Sequence, residues 1–251
     1  MTRLKRNHPL PLYVQLSETL RADIHARRLQ PQQQLPSERE LCARFRVSRM
    51  TVRQALIDLT REGLIYSRVG KGTFVSEPKI DQQLKTLTGF SQDMSARGSR
   101  TASRVLEAKL IPAPDEIAQI LRVPVGAETV VLARVRFADS VPLAIETVHL
   151  PHKYCPALLR HDFSKESLYD VLEHQYNYHL VRAEQTIEAA LASPRDAALL
   201  QLVPPVAVLM MERLTFTDQD ILIEYVQSTY RGDRYKFRSA LAPRPGVPVG
   251  A

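Results

Sequence analysis

Apolar residues recur at the spacing of amphipathic helices in three stretches of the first 62 residues. The predicted helices cover residues 12–27, Glu38 to about Phe45, and residues 49–62. Ser37 is followed three residues later by a glutamate, which is the capping-box pattern of a helix start, and Ser48 is placed to cap the third helix. The sequence LIYSRVGKGTFV that follows is typical of two short strands around a glycine turn. Three helices and a β-hairpin predict a winged helix-turn-helix.

From residue 88 onward, alternating apolar and polar positions and frequent turn signals replace the helical periodicity. The sequence predicts strands over Thr129–Phe137, Leu143–Leu150, Arg182–Leu191, Val206–Phe216 and Leu222–Tyr230, and helices over Leu168–Tyr176 and Arg195–Leu202. Hairpin-like connections between strands, with helices interposed, predict an antiparallel α+β domain.

Two segments outside these patterns differ in composition. EPKIDQQLKTL, residues 77–87, predicts a linker, and the Pro- and Gly-rich residues 241–251 predict a disordered tail. The chain is therefore expected to consist of a winged-helix domain over residues 1–76 and a second domain over residues 88–240.

The 251 residues carry a formal net charge of +7, and all of the excess lies in the first third of the chain. Residues 1–78 contain 14 Lys and Arg against 7 Asp and Glu, whereas the rest contains 20 of each. Because Lys and Arg gain free energy by releasing counterions from phosphates, the basic segment favours a polyanionic partner. A solvated basic face is the alternative, and charge alone does not separate DNA from RNA or an anionic membrane.

The composition argues against several classes of protein. Hydrophobic residues at 44% and charged residues at 24% are normal for a globular protein. No run approaches the roughly 18 apolar residues of a membrane span, and the first residues lack the apolar core of a signal peptide. Cys42 and Cys155 are far apart and lack metal-ligand spacing, which fits a reducing compartment. We expect a cytoplasmic protein with no membrane partner.

Basic and hydroxyl residues cluster where a winged helix-turn-helix meets DNA. In this fold the recognition helix enters the major groove with its N-terminal residues on base edges. Arg49 and Arg53 lie one turn apart on that helix, and the arginine fork can bind guanine O6 and N7 together. Thr51 is placed to contact phosphate or a thymine methyl, and Arg39 to reach the same base edges or the backbone. Lys71 adds charge at the tip of the hairpin.

Each of these residues also has a plainer interpretation. Taken singly, the arginines would be ordinary surface residues, and the glycines beside Lys71 would belong to a turn rather than a nucleotide-binding loop. Their joint placement on one helix-turn-helix is what favours DNA.

The run LPSERELCARFRVSRMTVRQALIDLTREGLIYSRVGKGTFV resembles the DNA-binding domain of GntR-type bacterial transcription regulators. It covers about forty residues and matches nearly the whole of the family pattern. The resemblance implies that Arg39 and Arg49 read guanines and that Gly70 enters the minor groove. It assigns supporting contacts with DNA to Ser48, Thr51 and Arg53.

The second domain contains little that indicates enzyme chemistry. G-x-S-x-G, H-E-x-x-H and cysteine clusters are absent from the sequence. His149 and His152 lie three residues apart, but no further ligand accompanies them. We therefore expect no catalytic residues, no metal and no cofactor.

Two arginines of the second domain stand out. In Arg134-Val135-Arg136, alternation places both arginines on one face of a strand, where two cations are costly without a shared anion. Polar residues expected on neighbouring elements are Glu146, Ser167, Tyr169 and Glu224. Such a set suits a phosphorylated polar metabolite with amine or hydroxyl groups. The alternative is that the arginines face solvent and the glutamates are ordinary ion-pair partners.

The stretches LTGFSQDMSARG, RVRFADSVPLAIE, SLYDVLE and IEYVQSTYRGDRYKF resemble the ligand-sensing UTRA domain of the HutC subfamily of GntR regulators. The resemblance covers residues from about 88 to 238 and implies a fold like that of chorismate lyase. It is greatest to the regulators of N-acetylglucosamine use, which bind phosphorylated amino sugars. In this subfamily the effector also varies towards urocanate, phosphonates or other sugars.

The resemblance assigns roles to individual residues of the second domain. Around the effector phosphate it implies Phe90, Arg134, Arg136, Ser167 and Tyr169, and around the sugar Glu146, Arg182, Glu224 and Tyr230. Where those regulators often carry serine, this chain has Gly89, of which only the backbone amide could contribute.

The predicted function is a homodimeric transcription regulator that represses amino-sugar uptake and catabolism genes. Its expected partners are a palindromic double-stranded DNA operator and an effector, glucosamine-6-phosphate or N-acetylglucosamine-6-phosphate. A HutC-type regulator of another pathway is one alternative. Two others, from different classes, are a lyase-like enzyme tethered to DNA and a nucleic-acid or membrane binder that acts through charge alone.

Overall fold

The computed structural model describes residues 4–6, 8–68 and 70–241. The chain forms two compact units, Met1–Lys79 and Ile80–Ala251.

The first unit is a three-helix bundle with a β-hairpin. Its elements are α1 Leu12–His25, α2 Glu38–Phe45, α3 Arg49–Arg61, β1 Ile65–Arg68 and β2 Gly72–Val75. Val52, Ala55 and Leu59 of α3 are fully buried against Leu16 of α1 and Leu41 of α2. The predicted winged helix-turn-helix is confirmed, with Ala55 more completely buried than the Leu56 that periodicity favoured.

Local hydrogen bonds explain where the helices of the first unit begin and end. The Ser37 hydroxyl accepts from the Glu40 amide at 3.3 Å, and the Glu40 carboxylate accepts from the Ser37 amide at 2.8 Å. This capping box starts α2, and Arg46 in the left-handed conformation (φ 54°) ends it. Ser48 caps α3 by accepting from the Thr51 amide at 3.1 Å.

The second unit is built around a six-stranded antiparallel sheet. The strands of this unit are β3 Ile80–Gln83, β4 Thr101–Pro112, β5 Glu128–Ala138, β6 Val141–Pro151, β7 Leu180–Leu191, β8 Ala207–Thr217, β9 Leu222–Arg231 and β10 Tyr235–Arg238. The six-stranded sheet has the order β4-β5-β6-β9-β8-β7, and β3 pairs separately with β10. Its helices are α4 Phe90–Ala96, α5 Asp115–Leu121, α6 Leu168–His174 and α7 Pro194–Leu199. Leu168, Val171 and Leu172 of α6 pack on buried residues of the central strands, such as Leu132 and Leu150. The predicted α+β class is confirmed.

Two parts of the second unit differ from the sequence-based prediction. The segment predicted as a linker, residues 77–87, contains β3, which pairs in parallel with β10. Strand β4 was not predicted, because most of its side chains are exposed or half-buried at the sheet edge and leave no clean alternation. Of the predicted tail, residues 242–251 lie outside the described residues.

Candidate functional site

The first turn of α3 presents its basic side chains to solvent. The side chain of Arg49 is 70% exposed and that of Arg53 is 50% exposed. Arg39, in the first turn of α2, is also exposed. Ser48 and Thr51 join their hydroxyls at 2.9 Å at the start of α3, so both residues shape the end of the helix that is expected to meet DNA.

One acidic residue joins Arg49 and Arg53 of α3. Glu38 Oε2 accepts from Arg49 Nε at 2.8 Å and from Arg53 Nε at 3.2 Å. The hydrogen bond from Arg49 is the largest influence on the carboxyl of Glu38 and lowers its pKa. Glu38 therefore pairs with both guanidiniums in the free protein.

The hairpin tip carries the other predicted DNA contacts. Gly70 and Lys71 are exposed, and Gly70 has the positive φ of 72° that glycine adopts without strain. The carbonyl of Lys71 accepts from the Gln34 side chain at 2.8 Å. Gln34 thus fixes the backbone of the tip, which sequence reasoning did not identify.

Replacing Glu38 with Gln should reduce sequence discrimination rather than simply strengthen DNA binding. Removing an acidic charge near DNA favours any sequence, but freeing Arg49 and Arg53 lowers the preference for the correct bases. We expect the ratio of operator to scrambled-duplex affinity to fall about two- to fivefold, the scale of an exposed ion pair.

Fluorescence anisotropy with the two duplexes measures this ratio. Glu18→Gln is the matched control, because it removes the same charge from an exposed position on α1. Equal ratios for the two variants would show that Glu38 does not position the arginines.

Within the second unit, Arg134 and Arg136 converge on one carboxylate. Arg134 Nη2 lies 2.6 Å from Glu146 Oε2, and Arg136 Nη1 lies 2.8 Å from the same oxygen. Arg134 is 1% exposed and Arg136 is 4% exposed, so the alternative of solvent-facing arginines is wrong. Arg134 lies directly opposite Glu146 in the register of β5 and β6, which explains why their side chains meet.

The charges in this cluster support one another. Burial by itself would raise the pKa of the Glu146 carboxyl, but Arg136 and Arg134 outweigh burial and lower it to about 2. Burial also lowers the pKa of Arg134 to about 10 against the attraction of Glu146, so its guanidinium stays charged at neutral pH. The cluster is therefore a buried carboxylate between two cations.

Helix α4 completes the cationic side of the site. The Arg136 guanidinium lies over the Phe90 ring at 4.6 Å from the centroid, and its Nη2 donates to the Ser91 hydroxyl at 2.8 Å. Gly89 adjoins this side, but its amide already donates to the Gln92 side chain at 3.1 Å.

A second buried carboxylate lies in the same site. Glu224 Oε1 accepts from the Tyr169 hydroxyl and from the Thr215 hydroxyl, each at 2.7 Å. Burial raises the pKa of the Glu224 carboxyl, although these two hydrogen bonds oppose it. Within the described residues, Glu224 Oε2 and the Ser228 hydroxyl are buried and have no hydrogen-bond partner. The site therefore has a cationic end and an acidic end, both with unused polar atoms.

Little open space remains between these side chains. The pocket volume is about 30 Å³, which suits one or two water molecules rather than a metabolite. A larger ligand can enter only if side chains move.

Comparison with known proteins decides the family. The profile described as "Bacterial regulatory proteins, gntR family" matches residues 12–75, and the UTRA domain profile matches residues 96–236. The chain belongs to the GntR family of bacterial regulatory proteins. It is therefore a DNA-binding transcription regulator with a UTRA domain, as the sequence resemblance implied.

Several relatives that match most of this chain support the assignment. The chain is 39% identical over 93% of its length to the HTH-type transcriptional repressor NagR of Bacillus subtilis, covering 96% of that protein. It is 36% identical over 82% of its length to the HTH-type transcriptional repressor PhnF of Mycolicibacterium smegmatis, covering 83% of that protein. The crystal structure of PhnF from Mycobacterium smegmatis matches with a TM-score of 0.64 and 30% identity, covering 92% of this chain and 99% of that chain.

The UTRA domain of this GntR regulator brings eight of the nine predicted effector residues to one pocket. They are Phe90, Arg134, Arg136, Glu146, Ser167, Tyr169, Glu224 and Tyr230. Arg182 lies elsewhere: it is on β7 at the sheet edge, binds Glu184 and Asp220, and stacks on the Phe216 ring at 3.7 Å. We therefore withdraw Arg182 from the candidate site.

Three polar pocket residues were missed by sequence reasoning. They are Ser91, Arg213 and Ser228. Ser228 lies two residues from Tyr230 on β9 and opposite Glu146 in the register, so alternation carried the signal. Arg213, which donates to Gln185 and to the Thr88 carbonyl, required knowledge of the strand order.

Neither a metal-binding cluster nor a membrane-spanning helix is present in the described part of the chain. Among these residues no group of three or more His, Cys, Asp or Glu side chains could hold a metal ion. His149 instead stacks on Tyr225, with 6.1 Å between the ring centroids. Across the same residues, no helix has the length and apolar character needed to cross a membrane.

Proposed function

We propose that this GntR regulator represses amino-sugar uptake and catabolism genes, and that a phosphorylated amino sugar in the UTRA pocket weakens its hold on the operator. The effector is glucosamine-6-phosphate or N-acetylglucosamine-6-phosphate. The regulator acts in the cytoplasm. It binds the operator as a homodimer, because a two-fold symmetric protein matches a palindromic DNA site. The observation that carries the proposal is the pocket with a cationic end and an acidic end.

The cationic end suits a phosphate. Arg134 and Arg136 leave three buried nitrogen atoms without a partner among the described residues, namely Arg134 Nε, Arg134 Nη1 and Arg136 Nε. A phosphate brings more charge and more acceptor oxygens than the single Glu146 carboxylate that now occupies the arginines. We infer that the phosphate displaces Glu146, which also opens the space that the closed pocket lacks.

The acidic end suits the polar groups of a sugar. Glu224 Oε2 is the buried atom there without a partner among the described residues, while the unpaired Ser228 hydroxyl belongs to a residue opposite Glu146 in the strand register. An amine or hydroxyl would donate to Glu224, and the displaced Glu146 can accept from a second sugar hydroxyl. A pocket with both ends thus favours a ligand that carries a phosphate and a donor on one small molecule.

Thermal unfolding of the full-length protein tests the ligand assignment. Glucosamine-6-phosphate or its N-acetyl form should stabilise the folded state by about 2.7 kcal/mol at a hundred times its Kd. Inorganic phosphate and glucosamine should stabilise it much less at the same concentration, because each fills one end only. If urocanate or a phosphonate stabilised the protein and both sugar phosphates did not, the amino-sugar assignment would be wrong.

A chain of contacts links the pocket to the start of the second unit. Arg136 binds Ser91 of α4, and Arg97 at the end of α4 donates to the carbonyl of Asp81 in β3 at 2.8 Å. Strand β3 begins directly after the DNA-binding unit in the sequence. A ligand that changes the Arg136–Ser91 contact can therefore act on the segment that leads to the DNA-binding unit.

Arg97→Gln should uncouple the two sites without removing either. We expect effector affinity and operator affinity to stay close to wild type, while the factor by which effector weakens operator binding falls about two- to thirtyfold. Operator titrations with and without saturating effector measure that factor. Arg195→Gln, at an exposed position of α7, is the control and should leave it unchanged. An unchanged factor for Arg97→Gln would rule out this route.

A further inference from the structure

An exposed methionine lies among the basic residues of the recognition helix. Met50 is the second residue of α3 and is 71% exposed. It follows Arg49 directly and precedes Arg53 by three positions, which is the spacing of neighbours on one helix face. Single exposed apolar residues are common on protein surfaces, so exposure alone assigns no role. A role follows instead from the position of Met50, at the end of the helix that reaches base edges.

The major groove of DNA offers one apolar group to such a side chain. Base edges there present hydrogen-bond donors and acceptors, and thymine adds its C5-methyl group. Neighbouring arginines suit guanine O6 and N7, whereas the methionine thioether has no strong donor or acceptor to offer. Met50 is also unbranched and flexible, so it can cover a methyl group closely.

We propose that Met50 reads a thymine methyl in each operator half-site, beside the base pair contacted by Arg49. Met50 is thus a specificity-determining residue that works by apolar contact, next to arginines that work by hydrogen bonding. The inference rests on α3 being the helix in the major groove and does not depend on the identity of the effector.

Uracil substitution in the operator tests the contact atom by atom. The probe is a duplex selected from a random-sequence library by the full-length protein. Each thymine is replaced in turn by uracil, which keeps base pairing and removes only the C5-methyl. For wild type we expect one thymine per half-site at which uracil weakens binding about three- to fivefold, the scale of one buried methyl group.

The protein variants supply the other half of the test. Met50→Ala should bind the thymine duplex about three- to fivefold more weakly and should be insensitive to uracil at that same position. Met50→Leu should retain most of the uracil effect. Ile57→Ala is the matched control: Ile57 is 45% exposed and lies on α3 two turns beyond Met50, so its loss should leave the uracil effect intact.

Two results would overturn the inference. One is that no thymine position shows a uracil penalty that differs between wild type and Met50→Ala. The other is that neither Met50→Ala nor Arg49→Ala changes operator binding, which would mean that the start of α3 does not enter the groove. The first result includes the case in which Arg49→Ala weakens binding while Met50→Ala has no effect; it refutes the inference but leaves α3 in the groove.

Discussion

Replacing Glu146 with Gln is expected to lower the free energy of unfolding of the second unit by about 3–5 kcal/mol, the usual cost of removing one partner from a buried ion pair. Glutamine keeps the size of the side chain but leaves Arg134 and Arg136 buried, close together and without a counter-charge. Chemical denaturation of the full-length protein measures the loss. Glu184→Gln, which breaks an exposed ion pair with Arg182, should leave stability almost unchanged.

The difference in unfolding free energy between wild type and Glu146→Gln should depend on pH in a definite direction. Because the folded protein lowers the pKa of Glu146 to about 2, its stabilising contribution is complete above the ordinary carboxyl pKa near 4.5. That contribution is lost as the pH falls through about 2. The stability curves of wild type and Glu146→Gln should therefore separate at neutral pH and converge in acid.

Adding a phosphorylated ligand distinguishes two explanations for the lower stability of Glu146→Gln. If Glu146 occupies the phosphate position, the ligand should stabilise Glu146→Gln more than wild type, because it no longer has to displace a carboxylate. Equal stabilisation of both proteins would indicate that Glu146 is only a structural ion-pair partner. In that case phosphate binds without exchanging with it.

Arg49→Ala is expected to weaken operator binding roughly 5- to 150-fold, the range for loss of one good bidentate contact to a base. Binding to a scrambled duplex should change far less, since general affinity comes from many phosphate contacts. The anisotropy assay compares both duplexes at one fixed salt concentration. Arg61→Ala, at the opposite end of α3, is the control and should leave the ratio of the two affinities unchanged.

A uniform loss of affinity on both duplexes would contradict the prediction for Arg49. It would mean that Arg49 contacts phosphate, and the salt dependence of binding would then decrease by about one charge. Sequence discrimination would have to come from other residues, such as Arg39.

The first unit could be predicted almost completely from the sequence. Its helices are specified by local signals, such as the capping box at Ser37 and the cap at Ser48, and by one clear apolar face on each helix. Glu38 was missed because its partners are 11 and 15 residues away across a turn. No periodic pattern records a contact of that kind.

The second unit could be predicted less completely, for reasons of sheet topology. The hairpin that carries Arg134, Arg136 and Glu146 follows from alternation and a short turn. Strand order does not, since β6 pairs with β9 rather than with β7, the next strand of the sheet along the chain, and the sequence has no sign of this crossover. The family resemblance assigned Arg182 to the pocket, although it lies on the outermost strand, and Arg213 was overlooked.

We propose that occupation of the UTRA pocket weakens operator binding. The most direct test is a titration of the operator duplex with the full-length protein, with and without saturating glucosamine-6-phosphate, repeated with N-acetylglucosamine-6-phosphate. We predict that at least one of the two raises the operator Kd about 5- to 150-fold, which is a coupling of roughly 1–3 kcal/mol. The same operator Kd with and without both ligands, each at a concentration that saturates the pocket, would contradict the claim.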